Sequence, residues 1–314
     1  LYAEHRRGVG AGYAKFETFP IWNLPLKHPV NVAYEAATAD LVDVNMIDPF
    51  HLEAYGETAV NYNRDILAYP LLTRILEKIA GCESPYRSPT DMGVNRAGFG
   101  IVDDEAVRMA ASQEVIRRYF RYNCEYAVGL AQKETVQRAE LLMKELNVGP
   151  EDRPVVLPAR QTAVEGERKG KGNEGIYCGA ALALADGRVV VGKNSPLMHA
   201  SSALLLNALK TLADIPDRIP LLAPSILDSI ASLKSHFGAD ATASLDVEET
   251  LIALGISATQ NPAAQLAIEK LGELRGCEMH LTHMPTPGDE AGLRRLGVNL
   301  TSDPNFSTKS LFIT

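Results

Sequence analysis

"YAKFETFPIWNLPLKHPVN", residues 13–31, joins a strand-like run to a segment with three prolines. Residues 13–19 alternate. Lys15, Glu17 and Phe19 fall on one face of an extended chain and Ala14, Phe16 and Thr18 on the other, which reads as a strand. Pro20, Pro25 and Pro29 each remove a backbone donor, so 20–29 reads as an extended loop. A helix follows over "NVAYEAATADL", then a short strand over "VDVNMI" ending at Asp48-Pro49. Strand, loop, helix and strand make the rhythm of a parallel sheet, and a partial Rossmann-like α/β segment is expected over 1–56. Trp22, the one tryptophan, reads as a packing anchor for the proline-rich loop that carries it.

Outward from there, 57–150 reads as a helical domain. "LLTRILEKIAG" stacks Leu71, Leu72, Ile75, Leu76 and Ile79 on one stripe and stops at Gly81. Amphipathic patterns recur in "DDEAVRMAASQEVIRRYFRYNCEYAVGL" and "KETVQRAELLMKELNVG". From 151 to 314 the pattern is α/β. "VVLPAR" reads as a strand, "QTAVEGERKGKGNEG" as a polar loop, and "IYCGAALALADGRVVVGKN" as a hairpin turning at Asp186-Gly187. After it come a buried helix "SPLMHASSALLLNALKTLA", a strand "RIPLLA", helices "PSILDSIASLKSHF" and "NPAAQLAIEKLGELRG", and a closing strand, helix and strand in "EMHLTHM", "DEAGLRRLG" and "VNLTS". Asn261 and Pro262 open the second of those helices as N-cap and first helical residue.

The bulk composition narrows the function. With 46% hydrophobic and 22% charged residues the chain is globular with a large core. A net charge of −8 argues against nucleic acid or an anionic membrane as partner. No apolar run approaches the ~20 residues of a membrane helix. Four cysteines, far apart and without a CxxC, suit free thiols in a reducing cytoplasm. The opening "LYAEHRRG" reads as the end of a helix, so a domain that begins before Leu1 is expected. Homo-oligomerisation stays open.

Five blocks carry a resemblance: "GYAKFETFPIWNLPLKHPVNVAYEAATADL", "DVNMIDPFHLEAYG", "NYNRDI", "SPTDMGVN" and "GKGNEGIYCGAA". They resemble the bacterial domain-of-unknown-function family DUF1846, and the similarity runs from Tyr2 to about Asp303. The resemblance implies a sizeable segment ahead of Leu1, with a Gly-rich phosphate-loop-like stretch. It also implies that a nucleotide, if one is bound, is held mainly by that segment. A zinc-protease label given to some members finds no HExxH here. His280 and His283, three apart on a strand, point to opposite faces, so no metal site is assigned and zinc is not expected.

The candidate site residues lie in clusters. Ligands of a parallel sheet sit beyond the carboxyl ends of its strands, which selects 18–31 and 48–53. His28 and His51 are the acid–base candidates, Asp48 and Asp91 the orienting acids. Asn23, Asn31 and Asn95 would read polar atoms; Lys15, Arg64 and Arg160 would contact an anion. Against this stands Asp48 as a helix cap ahead of Pro49, with "SPTDMG" as a rigid turn. Gly187 to Lys193 spells GxxxxGK, but it falls on a hairpin strand with Asn194 in place of Ser/Thr, so it is no phosphate loop. Lys193 could still touch an anion at the next helix start. The last third resembles the cytidine-deaminase-like fold. There the sequence HxE…PCxxC supplies zinc ligands and a proton-shuttling Glu. His199-Ala-Ser201 and Pro224-Ser225-Ile-Leu-Asp228 fall at the matching places, and they lack the Glu and both Cys. The expectation is an enzyme acting on a small anionic, phosphorylated or nucleotide-like substrate; the alternative is a non-catalytic sensor or assembly protein.

Overall fold

The computed structural model describes residues 1–14, 19–236 and 243–308. The chain divides into two compact units, Leu1–Tyr122 with Val128–Gly149, and Asn123–Ala127 with Pro150–Thr314. Lys15 and most of the strand expected over 13–19 lie outside the described residues.

The first unit is mainly helical: α1 (Tyr2–Arg6), α2 (Pro29–Ala37), α3 (Pro49–Tyr55), α4 (Asn63–Ala80), α5 (Asp104–Ala127, its last turn belonging to the second unit) and α6 (Lys133–Glu145). Proline at the first helical position starts α2 and α3, where the lost N–H would be unpaired in any case. Gly56 and Gly81, both left-handed, end α3 and α4. Strands β1 (Asn45–Ile47) and β2 (Val60–Tyr62) pair antiparallel, Asn45 opposite Tyr62 and Ile47 opposite Val60. The parallel pairing expected for "VDVNMI" is therefore not what the described residues form. The chain turns back through the short α3 and needs no long crossover.

The second unit is α/β, with α7 (Val156–Arg168), β3 (Gly179–Ala183), β4 (Val189–Lys193), α8 (Ala200–Leu212), α9 (Pro224–His236), α10 (Val247–Ala258), α11 (Pro262–Glu269), β5 (Glu278–Leu281), α12 (Pro287–Leu296) and β6 (Asn299–Ser302). Its sheet runs β4-β3-β5-β6. β3 is antiparallel to both neighbours, and β5 and β6 are parallel with α12 as their crossover. The Asp186-Gly187 hairpin, the Asn261 cap and the closing strand, helix and strand form as the sequence implies. Two expected strands do not form. "VVLPAR" lies in α7 and the turn before it, because Val155, Val156 and Ala159 are buried at helical spacing. "RIPLLA" is irregular: Leu221 and Leu222 are buried in the core without a strand partner. The polar loop expected from 161 begins only after Arg168.

The core of this unit packs α8 on the sheet around Leu182, Leu204, Leu209 and Met279. Contact is closest at Gly192 of β4, where a Cβ would lie 2.3 Å from the Leu204 nitrogen and 2.7 Å from the Ala200 carbonyl oxygen. Both obstacles are backbone, so they cannot rotate away. Gly192→Ala is expected to cost about 1–3 kcal/mol, read as a lowered thermal midpoint; an unchanged midpoint would contradict this packing. Among the described residues no helix is long and apolar enough to cross a membrane. The four cysteines are free thiols.

Candidate functional site

In the first unit the sequence-flagged side chains hold loops to one another. Asn31, fully buried, accepts from Ile21 N at 2.8 Å and donates to the carbonyls of Ile21, Leu24 and Pro25. It thereby clamps the proline-rich loop, while Asn23 is exposed. His28 is the N-cap of α2: Nδ1 accepts from Val30 N at 3.3 Å, so Nε2 carries the proton that meets Asp104 at 2.9 Å. Asp48 is buried with both oxygens used. One accepts from Phe50 N and His51 N, the other from Thr90 N and Thr90 Oγ1. Asp91 closes a capping box with Ser88 and accepts from Tyr55 Oη. Asn95 donates to the Phe19 carbonyl and the Tyr34 hydroxyl, and Arg64 pairs with the buried Asp43 at 3.4 Å. Asp43 is held above its ordinary carboxyl range by burial, partly offset by Arg64.

His51 is brought to Asp48, Ser88 and Trp22. Its Nδ1 lies 3.1 Å from Ser88 Oγ, and its ring meets the Trp22 ring edge-on at 6.2 Å. Nε2 of His51 and Nε1 of Trp22 are buried without a hydrogen-bond partner. Trp22 is thus a packing element against α3, and its backbone carbonyl also accepts from Val60 N.

The second unit holds the most convergent set of polar groups. His199 sits at the N-cap of α8 and directs Nδ1 at Asp289 Oδ2, 2.7 Å away. A carboxylate only accepts, so Nδ1 carries the proton and Nε2 is on the far side of a ring whose side chain is 28% exposed. Asp289 is buried in the first turn of α12, and three helix starts meet on it. Ser201 Oγ in α8 donates at 2.7 Å, Val247 N at the start of α10 at 3.1 Å, and Thr286 Oγ1, the cap of α12, at 2.8 Å. The positive ends of those helices favour the anion.

The electrostatics follow from that packing. Burial would raise Asp289, but the hydrogen bond and charge of His199, with Ser201 and Thr286, hold it below the usual carboxylate value. Burial would lower His199, and Asp289 outweighs it, so the imidazole sits above 6.5. Asp246 also faces the histidine; it caps α10 and is raised chiefly by burial. Lys234, paired with Glu249 at 2.7 Å, opposes the charge on His199. Cys178 is pushed up to about 12, first by burial and then by the charge of Asp289, which favours the protonated thiol.

Two other flagged residues belong to this unit. Arg160 grips Asp303 with two bonds, 3.1 and 2.7 Å; burial would raise that carboxyl, but His280 and Arg160 together hold it at about 2. Lys193 ends β4, six residues before His199 in the chain. Asn194 ties the same edge by accepting from Cys178 N and donating to the Ile176 carbonyl. Asp289 escaped sequence reasoning because it lies 90 positions from its histidine. The local signal was Thr286-Pro-Gly-Asp289, a capping box. Among the described residues no group of three or more His, Cys, Asp or Glu side chains gathers as a metal site.

Fold and centre define an α/β protein whose second unit presents a histidine on a buried carboxylate. The chain belongs to the DUF1846 family: residues 1–147 match the description "Domain of unknown function DUF1846, N-terminal" and 151–312 its C-terminal counterpart. It is 53% identical over 312 residues to a UPF0371 protein of Clostridium tetani (strain Massachusetts / E88). It is 54% identical over 312 residues to one of Clostridium botulinum (strain Alaska E43 / Type E3). Each match covers 99% of this chain and 62% of the relative's length.

Proposed function

We propose that this protein is an enzyme acting on a small anionic molecule, phosphorylated or nucleotide-like, with His199 as its proton-transferring group and Asp289 positioning it. The observation that carries the reading is the 2.7 Å contact from Nδ1 to a buried carboxylate, which fixes the tautomer and leaves Nε2 for chemistry. The histidines of the first unit offer less. His28 has both ring nitrogens engaged, and Nε2 of His51 is buried. An anionic substrate group is favoured by the start of α8, whose first turn has no side-chain cap, and by the charge on His199. The test is a melting-temperature screen with inorganic phosphate, nucleotides and sugar phosphates, followed by mass spectrometry of a metabolite mixture before and after incubation. A ligand at 100 times its Kd stabilises by about 2.7 kcal/mol. His199→Ala is expected to lower turnover by about 100-fold or more with the fold retained. No stabilising ligand and no product would end this reading.

A second reading is a non-catalytic ligand sensor built on a degenerate deaminase-like unit. It is favoured by the hydrogen bonds that close His199, Ser201, Thr286 and Asp289 on one another. The deaminase-like assignment is supported by element order: a hairpin, a helix after its second strand, then strand, helix and parallel strand on the same sheet. Binding without product formation would favour it over the enzyme.

A further inference from the structure

In the deaminase-like pattern HxE…PCxxC, the His and the two Cys hold zinc and the Glu moves protons. Sequence spacing suggested Pro224–Asp228 as the second half. That segment opens α9, whereas the residues facing His199 open α12. There the chain reads Pro285-Thr286-Pro287-Gly288-Asp289. This has the proline and the i, i+3 spacing of PCxxC, with Thr and Asp at the two cysteine places. Thr286 and Asp289 both reach the centre that His199 Nδ1 points into, and Ser201 occupies the place of the Glu.

We infer that His199, Thr286 and Asp289 occupy the ligand positions of a deaminase-type zinc centre and have exchanged the metal for mutual hydrogen bonds. The inference rests on the deaminase-like reading of the second unit, not on the enzyme reading. The residues present do not fit zinc. Ligand atoms around a tetrahedral zinc stand roughly 3.3–3.8 Å apart, given bonds of about 2.0–2.3 Å. Here Nδ1 and Oδ2 are 2.7 Å apart and Oδ2 and Thr286 Oγ1 2.8 Å, distances set by shared protons. An alcohol and a carboxylate are poor replacements for two thiolates. Ser201 donates its only hydroxyl proton to Asp289, so it cannot serve as the shuttling acid. The exchange turns Nδ1 inward as a donor and leaves Nε2 as the nitrogen offered outside. At this centre hydrogen bonds stand where the metal would.

The experiment restores the thiolates. The double variant Thr286→Cys/Asp289→Cys, expressed and incubated with zinc sulfate, is passed through gel filtration and analysed for metal. One zinc per chain is expected, with a rise in melting temperature on zinc addition and a thiolate-to-metal absorption band with cobalt. Wild type and Ser225→Cys/Asp228→Cys on α9 should hold none. Should the double variant fail to fold, Thr286→Cys alone keeps the bonds of Asp289 to Ser201 and Val247 and should bind cobalt more weakly. The inference is overturned if neither cysteine variant of α12 retains more metal than wild type, or if the α9 pair retains as much. The readout is metal content, so a null metabolite screen leaves it standing, and a failure here leaves the His199–Asp289 enzyme reading to its own test.

Discussion

Asp289→Ala is expected to cost the second unit about 3–5 kcal/mol, because it removes one partner of a buried ion pair and leaves the rest unpaired. The groups stranded are His199 Nδ1, the hydroxyls of Ser201 and Thr286, and the Val247 amide. For a unit of this size the melting temperature falls by about 2–4 °C per kcal/mol. Asp289→Asn keeps the shape and an accepting oxygen but not the charge, so it should fall between the two. The pH dependence gives a second readout. Asp289 is lowered from 3.8, so its contribution is complete above that value and fades as pH falls through the folded pKa. His199 is raised from 6.5, so its contribution is complete below that value and fades as pH rises through the folded pKa. The pair therefore stabilises most between 3.8 and 6.5. His199→Ala should remove the loss of stability above 6.5 that the pair is expected to give wild type. Thermal melts of both proteins at pH values from below 6.5 to well above it decide it; parallel profiles would mean that the pair is not coupled.

Local chemistry was readable and non-local pairing was not. Pro49 at a helix start, the Asp186-Gly187 turn and the Asn261 cap are decided within a few residues, and the structure keeps them; Pro29, which reads as the end of the loop, instead opens α2. Asp48 reads from sequence as cap or as site, and it caps α3 while also anchoring Thr90, 42 positions away. No spacing rule announces such a bond. "VVLPAR" looked like a strand because two valines are adjacent, but burial at Val155, Val156 and Ala159 follows the helical period. Helix α10 carries a local signal, Asp246-x-x-Glu249 before an apolar run, which the structure forms as a capping box. The His199–Asp289 centre is hardest of all. Its members lie at the starts of α8, α10 and α12, which long-range bonds hold together: His199 N to the Leu245 carbonyl, and His199 Nδ1 and Val247 N to Asp289.

Arg153 shows the same limit from the side of stability. "GPEDRP" reads as a linker running into the strand expected over "VVLPAR", yet Arg153 is fully buried. Its guanidinium spans the starts of β5 and β6. It pairs with Glu278, donates from Nε to Thr301 Oγ1 at 2.9 Å, and donates to the Met279 and Asn299 carbonyls at 3.2 and 2.6 Å. A planar fork can satisfy acceptors on two strands at once, which an ammonium on a flexible stem cannot. Arg153→Ala is therefore expected to cost about 3–5 kcal/mol, and Arg153→Lys to recover only part of it. Glu278 is partly exposed and also accepts from Asn299 Nδ2, so Glu278→Ala should cost less than Arg153→Ala. In the double variant the carboxylate no longer sits unpaired, so its loss should be smaller than the sum of the two single losses. Urea unfolding followed by far-UV circular dichroism measures wild type and the four variants. A single Arg153→Ala loss below about 1 kcal/mol, the range of an exposed pair, would show that the buried guanidinium is not what joins β5 to β6.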